Sequence, residues 1–387
     1  MTRSTLLVLT LWAAGLCAAA QFAKVGVPLA EMSALYPQAG SSIGLLVTLI
    51  SAVGVVAGLF AGMLGSRFGL RRLLLGALWL GAILSLVQAL LPPFPIMLGL
   101  RLAEGLSHLG VVVAAPTLIG TIAPARWRPA AMTLWGTFFG VAFALTAWAG
   151  LPLVERFGPA ALFLAHATVT GVVAGALTFM LREPASGEGT NDPLTLPLIL
   201  SRHRTTYASP FVAAPALGWL FYTFTFVALT TVLPQLVPAE QRTLTATLMP
   251  LASIAVSLTF GIALLRVMSA IGVVLLGFVL SALIAALMIA NGITAWGSIT
   301  LLGTLGLVQG ASFAAIPALN PAPEDQALAN GGMAQMGNLG NLAGTPVLLW
   351  ALGAGGVAPM MGLAIASYAV AFALHVVLAN KRKGPRA

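Results

Sequence analysis

Arg101, Glu104 and His108 are the residues of this sequence best suited to proton chemistry. They lie at spacings of three and four within a mostly apolar run, 96–122. At about 100° per residue in an α-helix, their side chains fall within roughly 60° of one another and form one polar stripe. Two interpretations stay open. Either Arg101 and Glu104 neutralise each other and fix the helix, or Glu104 or His108 carries a proton whose affinity Arg101 sets.

Gln21 and Lys24 add a second polar pair, one helical turn apart on one face. Lys24 lies near the end of its apolar run. It either extends outward to water or points inward, where its depth would match that of Arg101. In the second case two cations would lie near one carboxylate, an arrangement that favours an anionic or zwitterionic solute unless Glu31, near the same end, cancels the excess charge.

The second half of the chain contributes neutral candidates: Tyr222, Gln309, Asn338 and Asn341. Tyr222 belongs to an aromatic face that is either packing or a ligand surface, and it offers a hydroxyl group. Asn338 and Asn341 are three residues apart among glycines, so their amides either bond across helices or contact a solute.

The remaining histidines and the single cysteine suggest no metal or disulfide chemistry. Cys17 has no partner in the sequence for an intramolecular disulfide, and the histidines show no metal-ligand spacing. His166 and His375 are isolated within apolar runs, so we interpret them as structural. We expect no metal and no cofactor.

The elements that must hold these residues are membrane helices. Of the 387 residues, 59% are hydrophobic and 7% charged, whereas a soluble domain carries about 25% charged residues. A spanning helix needs about 20 apolar residues. Twelve segments meet this need: 5–30, 41–64, 73–91, 96–122, 131–154, 160–181, 211–233, 244–265, 271–290, 295–319, 327–352 and 358–378.

The N-terminal stretch has the features of a secretory signal, with Arg3, an apolar run at 6–16 and small residues at 18–20. The apolar character continues to Leu29, and removal of this stretch would leave an odd number of spans. We therefore expect it to be retained as the first spanning helix.

The distribution of Lys and Arg orients the segments. If both termini are cytoplasmic, fourteen of the 18 Lys and Arg residues lie in cytoplasmic stretches. Because positively charged loops stay inside, we expect a multi-pass protein of the inner (cytoplasmic) membrane with both termini in the cytoplasm. The net charge of +9 then marks a membrane face, and we expect no nucleic-acid partner.

The longest polar stretch divides the twelve segments into two sets of six. The sequence therefore predicts an N-terminal six-helix bundle at 1–182, a cytoplasmic linker at 183–209 and a C-terminal six-helix bundle with a basic tail at 210–387. Such internal repetition is common in secondary transporters, whose solute site lies at the interface between the repeats.

A tight arginine-rich loop separates segments two and three, and its candidate gating residues are Gly62, Ser66, Arg67, Gly69 and Arg71. The loop resembles the one between helices two and three of the major facilitator superfamily, roughly G-x-L-x-D-R-x-G-R-R, with Ser66 in place of the aspartate. Segment four resembles that family's R-x-x-x-G pattern through Arg101 and Gly105. The stretch 155–158, Glu-Arg-Phe-Gly, resembles its loop before helix six.

The resemblance implies an all-α integral membrane fold with twelve transmembrane helices in two six-helix bundles related by pseudo-twofold symmetry. It also implies alternating access around a central cavity lined mainly by helices one, four, seven and ten. In that family the arginine of helix four is tied to proton coupling, and the loop aspartate helps to lock the cytoplasmic gate. The gating role of Ser66 is therefore an open question.

We expect a monomeric secondary active transporter of a small polar solute, anionic or zwitterionic, with protons as the candidate coupling ion and the lipid bilayer as its surroundings. One alternative is a proton-driven exporter of drugs or metabolites, although segment five lacks the Gly-Pro pattern of the family's drug exporters. Another is a non-transporting sensor or assembly protein of the same fold. No phosphate loop and no nucleophile motif occurs in the sequence, so we expect no enzyme activity.

Overall fold

The structure is a computed structural model that describes residues 3–58, 69–124, 126–181 and 196–383. Within these ranges the regular elements are helices, because backbone groups in lipid must be satisfied within their own segment. We label the long helices α1 (Arg3–Gly26), α2 (Pro37–Ala57), α3 (Leu70–Gln88), α4 (Phe94–Ile122), α5 (Phe138–Phe157), α6 (Pro159–Met180), α7 (Ala213–Gln235), α8 (Ala239–Leu264), α9 (Ala270–Asn291), α10 (Ala295–Leu319), α11 (Pro323–Gly355) and α12 (Val357–Arg382).

Eleven of these helices, all except α11, are long and apolar enough to cross a membrane within the part of the chain that the structure describes. α11 has 33 residues and covers the predicted segment 327–352. Together they account for the twelve predicted segments. Three shorter helices accompany them: Leu29–Leu35, Arg128–Gly136 and Leu196–Ala208, the last of which we call the linker helix.

Four of the spans depart from regular α-helix, among them α7, which ends in a 3₁₀ turn at Leu233–Gln235. α2 contains 3₁₀ turns at Pro37–Ile43 and Leu49–Ser51. α5 and α8 each contain a π-helical turn, at Thr146–Gly150 and Ser257–Gly261 respectively. Irregular turns of this kind in a membrane helix need neighbouring groups that satisfy the released backbone.

The helices group into two compact units. The first comprises Met1–Ala39 and Phe60–Pro193, and the second comprises Gly40–Leu59 and Leu194–Ala387. In the first unit α1 packs against α4, α5 and α6, and α3 packs against α4 and α6. α1, α3, α4 and α6 therefore form one packed group, which is where the polar residues of segments one and four meet.

In the second unit α7 packs against α11, α8 and α9 pack against α10, and α2 packs against α11. Grouping by contacts thus joins α2 to α11. The predicted boundaries at 182 and 210 follow the chain order instead and stay a prediction.

Glycines set the closest helix contacts of the second unit. A Cβ atom at Gly340 or Gly344 of α11 would meet the backbone of α7 at Leu220 and Phe224. Small residues let backbones approach in lipid, where packing holds helices together. The α7–α11 contact therefore depends on these two glycines.

Candidate functional site

Six polar side chains of the first unit form a buried group that we call the ion cluster: Lys24, Ser85, Gln88, Arg101, Glu104 and His166. α1 and α3 contribute their members close to their C-terminal ends, whereas α4 and α6 contribute theirs in their N-terminal halves. Because α1 and α3 run antiparallel to α4 and α6, these parts of the four helices lie at the same level and the residues meet.

Glu104 lies at the centre of the ion cluster. Its Oε1 accepts a hydrogen bond from Nζ of Lys24 at 2.6 Å. Its Oε2 accepts from the guanidinium of Arg101 and, at 2.9 Å, from Nε2 of Gln88. The side chains of Lys24, Arg101 and Glu104 are 1%, 0% and 0% exposed. Two fully buried cations therefore share one carboxylate.

Lys24 also begins a second line of contacts, away from Glu104. Its ammonium donates to Oγ of Ser85 at 2.6 Å, and that hydroxyl lies 2.7 Å from Nδ1 of His166. Nε2 of His166 lies 2.9 Å from the carbonyl oxygen of Cys17. Lys24 thus points inward, which is the second of the two positions considered for it above.

Gln21 and His108 lie beside the ion cluster and link α1 to α4. Nε2 of Gln21 donates to Oγ of Ser107 at 2.8 Å. Nδ1 of His108 lies 3.1 Å from the carbonyl oxygen of Ala18, so this nitrogen carries the hydrogen. Both side chains are buried, and both hold the helix that carries Glu104 against α1.

Sequence reasoning missed Ser85, Gln88 and His166 as members of this site. Ser85 and Gln88 are three residues apart at the end of an apolar segment, a spacing that places them on one face. That pattern was the available signal. His166 gave none, because it is the only titratable residue between Pro159 and Met180 and its closest side-chain and carbonyl partners come from α3 and α1.

The second unit contains a neutral polar chain that we call the hydroxyl–amide chain: Tyr222, Ser253 and Gln309. The hydroxyl of Tyr222 on α7 bonds to the side chain of Ser253 on α8. Oγ of Ser253 donates to Oε1 of Gln309 on α10 at 3.2 Å. The ring of Tyr222 stacks on Trp219 and Phe226 with centroid distances of 4.5 and 5.2 Å. The structure therefore connects two predicted site residues, Tyr222 and Gln309, through Ser253.

Asn338 and Asn341 on α11 differ in how they are satisfied. Nδ2 of Asn338 donates to the carbonyl of Ala334 in its own helix at 2.8 Å, and the side chain lies against Gly54 of α2. Oδ1 of Asn341 is buried without a hydrogen-bond partner among the described residues. Asn338 thus fills a helix contact between α11 and α2.

Gln335 of α11 joins the linker helix to α2. Its Oε1 accepts from the hydroxyl of Tyr207 at 2.7 Å, and its Nε2 donates to the carbonyl of Val55 at 2.9 Å. Burial raises the pKa of Tyr207 to about 12, because a phenolate loses hydration there. The hydroxyl therefore stays a donor at neutral pH.

Of the predicted gating loop, Gly62, Ser66 and Arg67 lie outside the described residues. Gly69 precedes α3 with φ of 78°, a left-handed conformation that glycine adopts without strain. Arg71 donates to the carbonyl oxygens of Leu181 and Thr178, at 2.9 and 3.1 Å. Arginine at a helix C-terminus satisfies unpaired carbonyls there, so Arg71 caps α6.

The chain matches known proteins at the level of family and fold. The family model described as Major Facilitator Superfamily matches residues 11–345. A search of the curated proteins finds no significant match. Among solved structures, the chain is similar to a bacterial homolog of the human lysosomal transporter Spinster in an inward-facing and unoccupied conformation. The identity is 14%, the TM-score is 0.66, and the alignment covers 98% of this chain and 96% of that chain.

The family match covers far more than half of the chain, and the structural likeness independently supports the same fold. The expected family and the expected all-α membrane fold of this family are therefore confirmed. The expectation that the chain is a transporter and not an enzyme is confirmed by the family itself. The chain belongs to the major facilitator superfamily of membrane transporters.

Proposed function

We propose that this membrane transporter is a secondary active transporter that moves a small anionic or zwitterionic solute by alternating access, with protons as the coupling ion. The observation that carries the proposal is the shared carboxylate of Glu104. With all three groups ionised, two cations and one carboxylate leave the ion cluster with one net positive charge.

The excess charge favours an anionic group on the solute. Charged side chains at membrane depth are costly and are stabilised by partners of opposite sign. A solute carboxylate adds a negative charge beside these cations, and a zwitterion does so with its carboxylate turned toward Lys24 and Arg101. Complementary charge also rejects cationic solutes.

Proton coupling follows from the same net charge of the ion cluster. Protonation of Glu104 removes the only carboxylate of the ion cluster and raises its net charge to two. An anion then binds more strongly, and by linkage a bound anion raises the proton affinity of Glu104 by the same factor. Solute and proton therefore bind together and cross the membrane in the same direction.

Access to the ion cluster requires movement of the helices, because Lys24, Arg101 and Glu104 are closed to solvent. Alternating access supplies that movement.

We also propose that the protein lies in the inner membrane with both termini in the cytoplasm, as the distribution of Lys and Arg favours. The single Cys17 is buried, so a Cys17→Ser background suits surface labelling. In that background Lys383→Cys should react with a membrane-impermeant maleimide only after cells are permeabilised. Labelling of intact cells to the same extent would overturn the orientation.

Transport is tested in proteoliposomes with four labelled solutes that cover zwitterionic, mono-anionic and di-anionic charge: glycine, alanine, lactate and succinate. We expect the wild type to accumulate at least one of them when a pH gradient, acid on the solute side, is imposed. Glu104→Gln should transport that solute without dependence on the gradient, because the protonated form is fixed.

Loss of the Glu104 carboxylate also lowers the stability of the folded protein, so a variant with the net charge of the wild-type ion cluster is tested beside Glu104→Gln. Lys24→Met combined with Glu104→Gln removes one cation with the carboxylate and keeps the net charge of the ion cluster. This double variant should also transport without pH dependence. Gln309→Ala in the second unit should keep the pH dependence of the wild type. Wild-type pH dependence in both Glu104→Gln and Arg101→Ala would show that the ion cluster plays no part in coupling.

A further inference from the structure

His166 lies at the far end of a continuous hydrogen-bond chain that begins at Glu104. The chain runs from Oε1 of Glu104 to Nζ of Lys24, then to Oγ of Ser85 and to Nδ1 of His166, with steps of 2.6, 2.6 and 2.7 Å. His166 is 6% exposed. The function proposed above leaves this residue without a role.

The hydrogen positions along this chain follow from the partners at its two ends. The carbonyl oxygen of Cys17 can only accept, so Nε2 of His166, 2.9 Å away, carries the hydrogen. In the neutral ring Nδ1 is then the acceptor, and the hydroxyl of Ser85 donates to it. The ammonium of Lys24 has only hydrogens to offer, so it donates to Ser85. Between Lys24 and His166 every hydrogen bond is therefore donated in the direction of His166.

We propose that Lys24, Ser85 and His166 form a proton-transfer path in which His166 is the second site for the coupled proton. This inference rests on the proton coupling proposed above and extends it from Glu104 to α6. His166 then belongs to the transport mechanism as a proton acceptor that never touches the solute.

The transfer conserves atoms and charge. Lys24 gives a proton from Nζ to Oγ of Ser85 while the hydroxyl hydrogen of Ser85 passes to Nδ1 of His166. The products are a neutral Lys24 amine and a His166 imidazolium. Nδ1–H of the imidazolium then donates to Ser85, and the new hydroxyl hydrogen of Ser85 donates to the Lys24 lone pair. Nε2–H keeps its bond to Cys17.

Charges around the ring provide the reason for the transfer. The charged groups that act on His166 are Lys24 on α1 and Glu104 and Arg101 on α4. Ser85 faces it from α3, Thr170 faces it from its own helix at 3.5 Å, and the α5 residues Glu155 and Arg156 are exposed. When Glu104 is protonated, Lys24 loses its counter-charge beside Arg101. Moving one positive charge to His166 separates the two cations.

The first test needs no solute. Protein labelled with ¹⁵N-histidine in lipid nanodiscs should show His166 in the Nε2–H tautomer at neutral pH, with the signal assigned by its loss in His166→Gln. The opposite tautomer would overturn the proposal, because Nδ1 could not then accept from Ser85. This result is independent of whether the protein couples solute to protons.

The second test compares pH-driven accumulation with solute exchange at equal pH, using the same four labelled solutes. In His166→Gln and Ser85→Ala the pH-driven accumulation should fall at least about tenfold, which corresponds to about 1.4 kcal/mol. Both variants should keep solute exchange, because exchange needs no net proton movement. Ser85→Thr retains the hydroxyl and should behave as wild type. His375→Gln, a buried histidine of the second unit outside the chain, is the matched control.

The outcomes separate the two proposals. If Glu104→Gln loses pH dependence while His166→Gln and Ser85→Ala keep it, the path to His166 is wrong and the coupling role of Glu104 stands. If the wild type shows no pH-driven accumulation of any of the four solutes, the coupling itself fails and the path fails with it. Equal losses of accumulation and exchange in His166→Gln and Ser85→Ala would indicate a structural role and would contradict the path.

Discussion

The two units of this protein bury polarity in different ways. The first unit buries three charged side chains, Lys24, Arg101 and Glu104, in mutual contact. Among the described side chains of the second unit, no Lys, Arg, Asp or Glu is buried. Its buried polar groups are hydroxyls, amides and His375, and its closest contacts are made by glycines.

This difference indicates a division of physical roles. A buried charge is costly unless it is paired, so the first unit is sensitive to any change in its charge balance. Neutral hydrogen bonds between membrane helices contribute only about 0.6 kcal/mol each. The second unit should therefore depend on close helix packing more than on any one polar group. Three substitutions test this contrast by their effects on stability.

The largest effect should come from Glu104→Gln. The substitution removes the carboxylate that the buried Lys24 and Arg101 share, and removal of one partner from a buried pair costs about 3–5 kcal/mol. Thermal unfolding in detergent measures this loss. Lys24→Met combined with Glu104→Gln should recover a large part of it, because the net charge returns to its original value. A Glu104→Gln protein as stable as the wild type would break the contrast.

An intermediate effect should come from Gly344→Ala in the second unit. Its new Cβ would meet the backbone of Phe224 on α7, and forced overpacking costs about 1–3 kcal/mol. Gly353→Ala is the matched control in the same helix, because nothing lies within 4 Å of its Cβ position. The control should be neutral or more stable by up to about 1 kcal/mol. Equal unfolding temperatures for the two variants would contradict the packing role of Gly344.

The smallest effect should come from Tyr222→Phe. The ring stack with Trp219 and Phe226 remains, and only the bond to Ser253 is lost, so we expect a cost of about 0.6 kcal/mol. The same unfolding assay measures it. A loss above about 2 kcal/mol would mean that the hydroxyl–amide chain matters as much as a charged contact, and the contrast between the units would weaken.

The sequence predicted the features that depend on one helix at a time. Twelve spans followed from the length of apolar runs, because lipid permits few alternatives to a helix. The stripe of Arg101, Glu104 and His108 followed from helical spacing, and all three residues are buried in the structure.

Features that depend on which helices are neighbours did not follow from the sequence. The spacing of residues in the sequence could not decide whether Lys24 points inward, because its position depends on the ion pair with Glu104 of the neighbouring helix α4. His166 appeared isolated, although its partners lie on α1 and α3. The 3₁₀ turns of α2 were also not predicted, since the apolar run of that segment reads as one continuous helix.

Proton uptake during solute binding is the sharpest test of Glu104 as the coupling carboxylate. A pH indicator in weakly buffered detergent solution reports protons taken up when the transported solute among glycine, alanine, lactate and succinate is added to purified protein. We expect net proton uptake by the wild type and none by the variant that combines Lys24→Met with Glu104→Gln. Undiminished uptake by that variant, or proton release by the wild type, would contradict the role of Glu104 as the coupling carboxylate.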